Sequence, residues 1–254
     1  MQELVVLGVC GSPRFGNSEF LLKEALKAAQ EVDPSIKCIS YSIRAKKFGP
    51  CLGCGRCGDL GGECVIKDDF QTLRDLWLKA DVVIYSVPVY HMSIPGQLKC
   101  FIDRLGNSLF ARYRPLFTED KLPKILKVIG GIAQGIHMCS GQEHTLTDLI
   151  NHALLMGCVP VTGDMWESYI GGGGWTANDV DRHALEKQFG EGEMDASIAV
   201  KSSRAVGRRA AEMAMLLRAG GQMIGGQLAK DPIYQPFLEK IGFQAAGLPD
   251  RDGQ

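Results

Sequence analysis

No segment of the 254-residue chain approaches the roughly eighteen uninterrupted apolar residues of a membrane-spanning helix, so no membrane partner is expected. There is almost no net charge: the formal value is −1, which supplies no field for nucleic acid or anionic lipid. Lys46-Lys47 and Arg208-Arg209 are isolated pairs that read as solvated faces. The opening stretch, MQELVVLGVCGSPR, lacks a cationic leader and runs into a glycine turn, unlike a secretory signal. Also missing are the Lys-Ser/Thr ending of a nucleoside-triphosphate loop and the GxGxxG dinucleotide fingerprint. No internal repeat and no Ser-His-Asp or Cys-His arrangement stands out. His137, His144, His152 and His183 have no ligand-like spacing.

What is plentiful is cysteine, nine residues in all. A cytoplasmic location is expected, and in that reducing compartment cysteines serve metals or redox chemistry rather than disulfides. The apolar pattern alternates between short runs and longer helical ones. Strands are predicted at Leu4–Val9, Ile36–Ile43, Val82–Ser86, Ile125–Ile129 and Cys158–Val161. Between them lie helical stripes. One is capped by Ser18 and carries Leu21, Leu22, Ala25 and Leu26; another follows Asp68 or Asp69 through Phe70, Leu73, Leu76 and Trp77. A third starts at Pro95 with Leu98, Phe101, Ile102 and Leu105, and a fourth runs from about Gln142 to Met156. Five strands alternating with helices imply an α/β doubly wound, five-stranded parallel sheet. GGGGW at 171–175 reads as a flexible loop. A helix from about Ser197 to Leu217 is expected to cover one sheet face, and residues 220–254 to form an irregular extension available to a partner subunit.

GSPRFGNS, Gly11 to Ser18, lies between the first strand and the first helix. Doubly wound folds bind phosphate there, because helix-terminal amides and the helix dipole attract anions. Ser12 and Ser18 bring hydroxyls, Asn17 an amide and Arg14 a cationic fork. The segment suits a monophosphate, such as that of FMN, better than a triphosphate; a structural turn is the alternative. Two further loops follow strands three and four: Pro88-Val89-Tyr90-His91, with an aromatic edge, and Gly131 through Ala133, Gln134 and Gly135, where small residues let a flat ring approach the backbone.

Cys51, Cys54, Cys57 and Cys64 form Cys-x2-Cys-x2-Cys-x6-Cys. An even spread of nine cysteines would place about half of one in a window of that length. Short Cys-x2-Cys turns let successive thiolates face one cubane cluster, and the surrounding glycines allow the wrapping. Zinc competes for four thiolates, although paired knuckles across a longer gap are its commoner pattern. Cys10, Cys38, Cys100, Cys139 and Cys158 lie in apolar contexts and are expected to be buried packing residues.

GSPRFGNS, the DDF…KADVVIYSVPVYHMSIPGQLKCFIDR stretch and SGQEHTLTDLINHALLMGCVPVTG together resemble the NADPH-dependent FMN reductase family, over residues 3–219. The cysteine motif after the second strand resembles that of the iron–sulfur flavoproteins, a branch of the same superfamily. The resemblance implies a flavodoxin-like domain over 1–219 with its cysteine loop at 48–66, followed by an extension at 220–254. It implies FMN, with phosphate held by Ser12, Arg14, Asn17 and Ser18 and the ring by Pro88, Val89, Tyr90, His91, Ala133, Gln134 and Gly135. It further implies a [4Fe–4S] cluster on Cys51, Cys54, Cys57 and Cys64, and a homodimer or homotetramer. The function expected is FMN-dependent oxidoreduction and electron transfer between cluster and flavin, fed by a ferredoxin-like protein or NAD(P)H, with Tyr90 and His91 as catalytic candidates. Two alternatives stand: an NAD(P)H-dependent FMN or quinone reductase with a structural zinc knot, and a redox-sensing module without turnover.

Overall fold

The computed structural model describes residues 3–117 and 121–243. Its strands are β1 (Val5–Cys10), β2 (Lys37–Ser42), β3 (Val82–Pro88), β4 (Val128–Gly135), β5 (Val159–Val161) and β6 (Gly172–Trp175). The helices are α1 (Asn17–Val32), α2 (Arg56–Asp59), α3 (Phe70–Lys79), α4 (Gly96–Arg112), α5 (Gln142–Leu155), α6 (Ala184–Gly190), α7 (Met194–Leu228) and α8 (Gln235–Lys240). The sheet is wholly parallel in the order β2-β1-β3-β4-β5, with β6 also on β4. That is the flavodoxin-like order, and its switch point lies between β1 and β3. One face is covered by α3, α4 and α5 through Phe70, Leu73, Trp77, Phe101, Leu105 and Leu149. The other is covered by α1 and α7 through Leu21, Leu22, Ala199, Val206 and Ala210. Among the described residues no helix is long and apolar enough to cross a membrane.

The sheet's edge position is filled twice. β5 pairs with Val128–Gly130 of β4, the chain then loops outward, and β6 returns to pair with Ile132–Gly135. The GGGGW stretch is therefore a strand and not a flexible loop. Two of its glycines sit in close quarters: a Cβ on Gly172 would lie 3.1 Å from Ile132 Cγ1 and 3.2 Å from Ser203 Cα, and one on Gly174 would lie 2.9 Å from Ala199 Cβ, whereas Gly173 has open space. Ser202 secures the strand from α7, donating to Gly173 O and accepting from Gly173 N, both at 3.2 Å.

The irregular extension expected from residue 220 is also corrected. α7 runs unbroken across that point to Leu228, and α8 folds back onto it. Gly221 and Gly225, within the stretch expected to be irregular, are seats for that return. A Cβ on Gly221 would meet Ile241 and Phe237 at 2.6 and 2.7 Å, and one on Gly225 would meet the Phe243 ring at 2.3 Å. Residues 244–254 of the expected extension lie outside the described residues. Asp81, at the start of β3, ties these elements together, accepting from Val5 N at 2.8 Å and Arg218 Nε at 3.1 Å, with Lys240 Nζ at 3.5 Å.

Helices α1 and α7 cross with backbone contact. Gly207 sits where a Cβ would fall 2.0 Å from Ala25 O, so only glycine fits. Within the opposite layer, Trp77 Nε1 donates to Tyr85 OH at 3.0 Å, which meets His152 Nε2 at 3.3 Å. Burial, reinforced by Lys99, pushes the His152 pKa down to about 4.

Gly207→Ala is expected to destabilise the protein by about 2 kcal/mol. Gly220→Ala lies in the same helix with nothing within 4 Å, and is expected to stabilise by up to about 1 kcal/mol. Urea midpoints measure both, and a stabilised Gly207→Ala would contradict the close crossing. His152 adds a pH dependence. The unfolded histidine takes its proton near 6.5 and the folded one near 4, so its contribution is complete above 6.5 and lost as pH falls to about 4. The slope is up to about 1.4 kcal/mol per pH unit, and His152→Gln is expected to flatten it.

Candidate functional site

The carboxyl ends of β1, β3 and β4 carry the loops that sequence singled out. Helix α1 begins at Asn17, with Gly16 at its cap position and no side-chain cap bond, so Ser18 is inside the helix and is not its cap. Its first amides, Asn17 and Ser18, have no acceptor within the helix and face the loop, the arrangement that receives an anion. Ser12 is buried and braces the loop: its Oγ donates to Arg14 O at 2.7 Å and accepts from Arg14 N at 3.2 Å. Arg14 itself is exposed, free to swing onto a bound phosphate.

Asn17 has a different employment. Its Nδ2 donates to Asp181 O at 3.3 Å and its Oδ1 accepts from Leu185 N at 3.0 Å. The segment between β6 and α6 thus crosses to the phosphate loop and rests on it, with Arg182 O only 2.2 Å from where a Gly16 Cβ would be. Sequence reasoning missed this clasp, because the partners lie more than 160 residues apart.

After β3, Val89 N donates to Gln134 O at 2.8 Å, joining the second loop to the third. Tyr90 and Ser93 exchange backbone bonds at 2.9 and 3.0 Å, and the two residues between them, His91 and Met92, both take left-handed φ, 46° and 67°. Two adjacent non-glycine residues in that region mark stored strain of the kind found at ligand clamps. Pro88 and Val89 are half-buried, while Tyr90 and His91 are exposed. Ala133, Gln134 and Gly135 belong to β4 and are buried; the exposed part of that loop is His137–Cys139. Cys139 is thus no packing residue, and Cys38 and Cys100 are only partly covered; Cys10 and Cys158 are buried as expected.

Beside these loops opens a cleft of about 690 Å³ between α5, β6 and the start of α7. Met92, Met138, Cys139, Trp166, Tyr169 and Trp175 line it, Trp166 and Tyr169 being 81% and 69% exposed. The bulge between β5 and β6 carries both aromatics, so the split of the edge strand creates the cleft.

The cysteine loop leaves β2 on the α4 side of the sheet. Cys51 and Cys54 are exposed, Cys57 and Cys64 half-buried, and among the described residues no three cysteines, histidines or carboxylates converge as a metal site. The donor set nevertheless fits a thiolate-ligated cluster. Gly53, Gly55 and Gly61 have left-handed φ and open space around them, leaving the loop room to wrap. Arg104 Nη2 donates to Cys64 Sγ at 3.4 Å and Asn107 Nδ2 to Cys51 Sγ at 3.7 Å. The loop's far end is fixed by Arg104, whose Nη1 pairs with Asp68 Oδ2 at 2.7 Å, and by Ser108 Oγ, which donates to Gly62 O. Burial would push the Asp68 carboxyl up, but Arg104 and the amides of Gly49 and Phe70 outweigh it and hold the pKa below the usual range. The signal for Arg104 in sequence was a charge set inside the apolar stripe of Phe101, Ile102 and Leu105.

Residues 4–166 match the NADPH-dependent FMN reductase family. An iron–sulfur flavoprotein of Archaeoglobus fulgidus is 30% identical over 177 residues, 70% of this chain and 85% of that one. Another from Methanocaldococcus jannaschii is 31% identical over 214 residues, 84% of this chain and 98% of that one. Among solved structures, an azoreductase of Bacillus anthracis superposes with a TM-score of 0.56 at 13% identity, covering 81% of this chain and 99% of that one, a likeness of fold alone. The chain, whose sheet order is that of the flavodoxin-like fold, belongs to the NADPH-dependent FMN reductase family, in the branch that holds the iron–sulfur flavoproteins, and is a flavin-dependent oxidoreductase.

Proposed function

We propose that this protein transfers electrons between a [4Fe–4S] cluster on Cys51, Cys54, Cys57 and Cys64 and an FMN held at the ends of β1, β3 and β4. When bound, the cluster supplies one-electron exchange and the flavin converts this to two-electron chemistry. Support comes above all from α4. Its N-terminus directly follows the strained turn at Pro88–Ser93, and Arg104, Asn107 and Ser108 on its middle turns hold the cysteine loop. Eight residues of helix, about 12 Å, separate the two attachments.

In this reading Arg14, the α1 amides and the hydroxyls of Ser12 and Ser18 take the phosphate, and Asn17 keeps the loop in shape through Asp181 and Leu185. Pro88 to His91 and Ala133 to Gly135 would hold the flavin ring. Tyr90 and His91 are exposed, so either is able to move a proton at a ring or substrate atom. The aromatic cleft is where an organic electron acceptor would enter. A ferredoxin-like protein or NAD(P)H is the proposed donor. A homodimer or homotetramer is supported by the exposed apolar residues Leu216, Met223 and Ile224 on α7.

Protein purified without oxygen is expected to carry about four irons and four sulfides per chain, with an absorption shoulder over the flavin bands. One zinc and no sulfide would replace the cluster by a structural knot. Cys54→Ala is expected to lose the iron and keep the flavin, because the flavin loops lie on other strands; loss of both from folded protein would reject their independence. Arg14→Ala is expected to weaken FMN binding about 10- to 100-fold in a fluorescence titration, the range for a hydrogen bond to a charged group. Unchanged affinity would remove Arg14 from the phosphate site.

A further inference from the structure

One donor of Arg104 has no partner. The side chain is 2% exposed and lies 4.2 Å from the Phe70 ring centroid. Nη1 donates to Asp68 Oδ1 and Oδ2 at 2.9 and 2.7 Å and to Gly49 O at 3.3 Å. Nη2 donates to Ile66 O at 2.8 Å and Cys64 Sγ at 3.4 Å. Nε is buried and makes no hydrogen bond among the described residues. By the planar geometry of the group, Nε shares an edge with Nη2, the nitrogen that donates to Ile66 O and Cys64 Sγ. A permanent cation needs no second donor for its pairing with Asp68, and buried donors are normally satisfied.

One turn along α4, Asn107 donates to Cys51 Sγ. The first and last cysteines of the motif therefore each receive an N–H from the same helix. A thiol is a weak acceptor, whereas a metal-bound thiolate carries charge and accepts strongly. Donors aimed at two sulfurs, one of them on a buried guanidinium, suit ligated thiolates better than free thiols.

We propose that Arg104 and Asn107 are positioning residues for the iron–sulfur cluster, donating to the Cys64 and Cys51 thiolates, with Arg104 Nε finding its acceptor among the cluster's sulfur atoms. The inference rests on the cluster reading above. Hydrogen bonds and positive charge on the sulfurs favour the reduced, more negative state, so both residues raise the reduction potential.

The test compares anaerobically purified wild type, Arg104→Lys and Asn107→Leu by iron and sulfide content, thermal unfolding and a redox titration followed by electron paramagnetic resonance. Both variants are expected to keep the cluster and shift its midpoint to more negative values, Arg104→Lys the further. A tenfold change in the reduced-to-oxidised ratio at fixed potential corresponds to about 59 mV. Asn107 is exposed, so Asn107→Leu is expected to move the midpoint without moving the unfolding temperature. Should Arg104→Lys not fold, Asp68→Asn/Arg104→Gln replaces it, since that pair leaves no lone buried charge. Variants with full iron and the wild-type midpoint would overturn the proposal while leaving the cluster in place; a wild type without iron and sulfide would overturn the cluster reading itself.

Discussion

The guanidinium of Arg104 is the buried charge among the side chains that tie the cysteine loop to α4, beside Asn107 and Ser108. The cysteine loop is glycine-rich, exposed and without a core of its own. Its far end is pinned to α4 by Ser108 and by the Arg104–Asp68 pair, at 2.7 Å and nearly dry. Removing either partner would bury an uncompensated charge, a loss of about 3–5 kcal/mol, so the pair tolerates no half measures. Phe70 adds a face for the guanidinium to lie on, and that residue also opens α3. One side chain thus sets the position of a loop, a helix start and a cysteine sulfur.

The same economy of attachment appears at the phosphate loop. The loop is braced internally by Ser12 and externally by a segment that arrives from the far edge of the sheet. That segment exists because the edge strand is interrupted. Where β5 stops, the chain swings out, places Trp166 and Tyr169 beside the loops, returns as β6 and then crosses to Asn17. Aromatic cleft and phosphate clasp are two products of one interruption.

Much of this was legible beforehand. Buried parallel strands announce themselves as short apolar runs, and the positions of β1, β2, β3 and β5 were readable to within a residue or two. The glycine-containing loop between β1 and α1 was visible from its place between strand and helix, and the cysteine loop from its density. What sequence concealed were contacts between distant residues. Gly172–Trp175 looked like a loop because glycine weakens an isolated strand; the approach of α7 and Ile132 explains the glycines at 172 and 174. The stretch from residue 220 looked irregular from its glycines and prolines, yet Phe237 and Phe243 occupy the space that side chains at Gly221 and Gly225 would take. Cys139 looked apolar by its neighbours, yet a left-handed turn presents it to solvent.

The crossing of α1 and α7 has a consequence for how the chain is made. The face of α1 formed by Leu21, Leu22 and Ala25 is covered by residues such as Val206 and Ala210, some 180 positions downstream. On a ribosome moving at about 5–20 residues per second, that face waits about 10–40 s for its cover. The cysteine loop meets Arg104 about 40 residues after Cys64, within a few seconds at the same rate. The nascent protein therefore has the partners of its cysteine loop early and those of the α1 face last, leaving an open apolar helix for chaperones to shield in between.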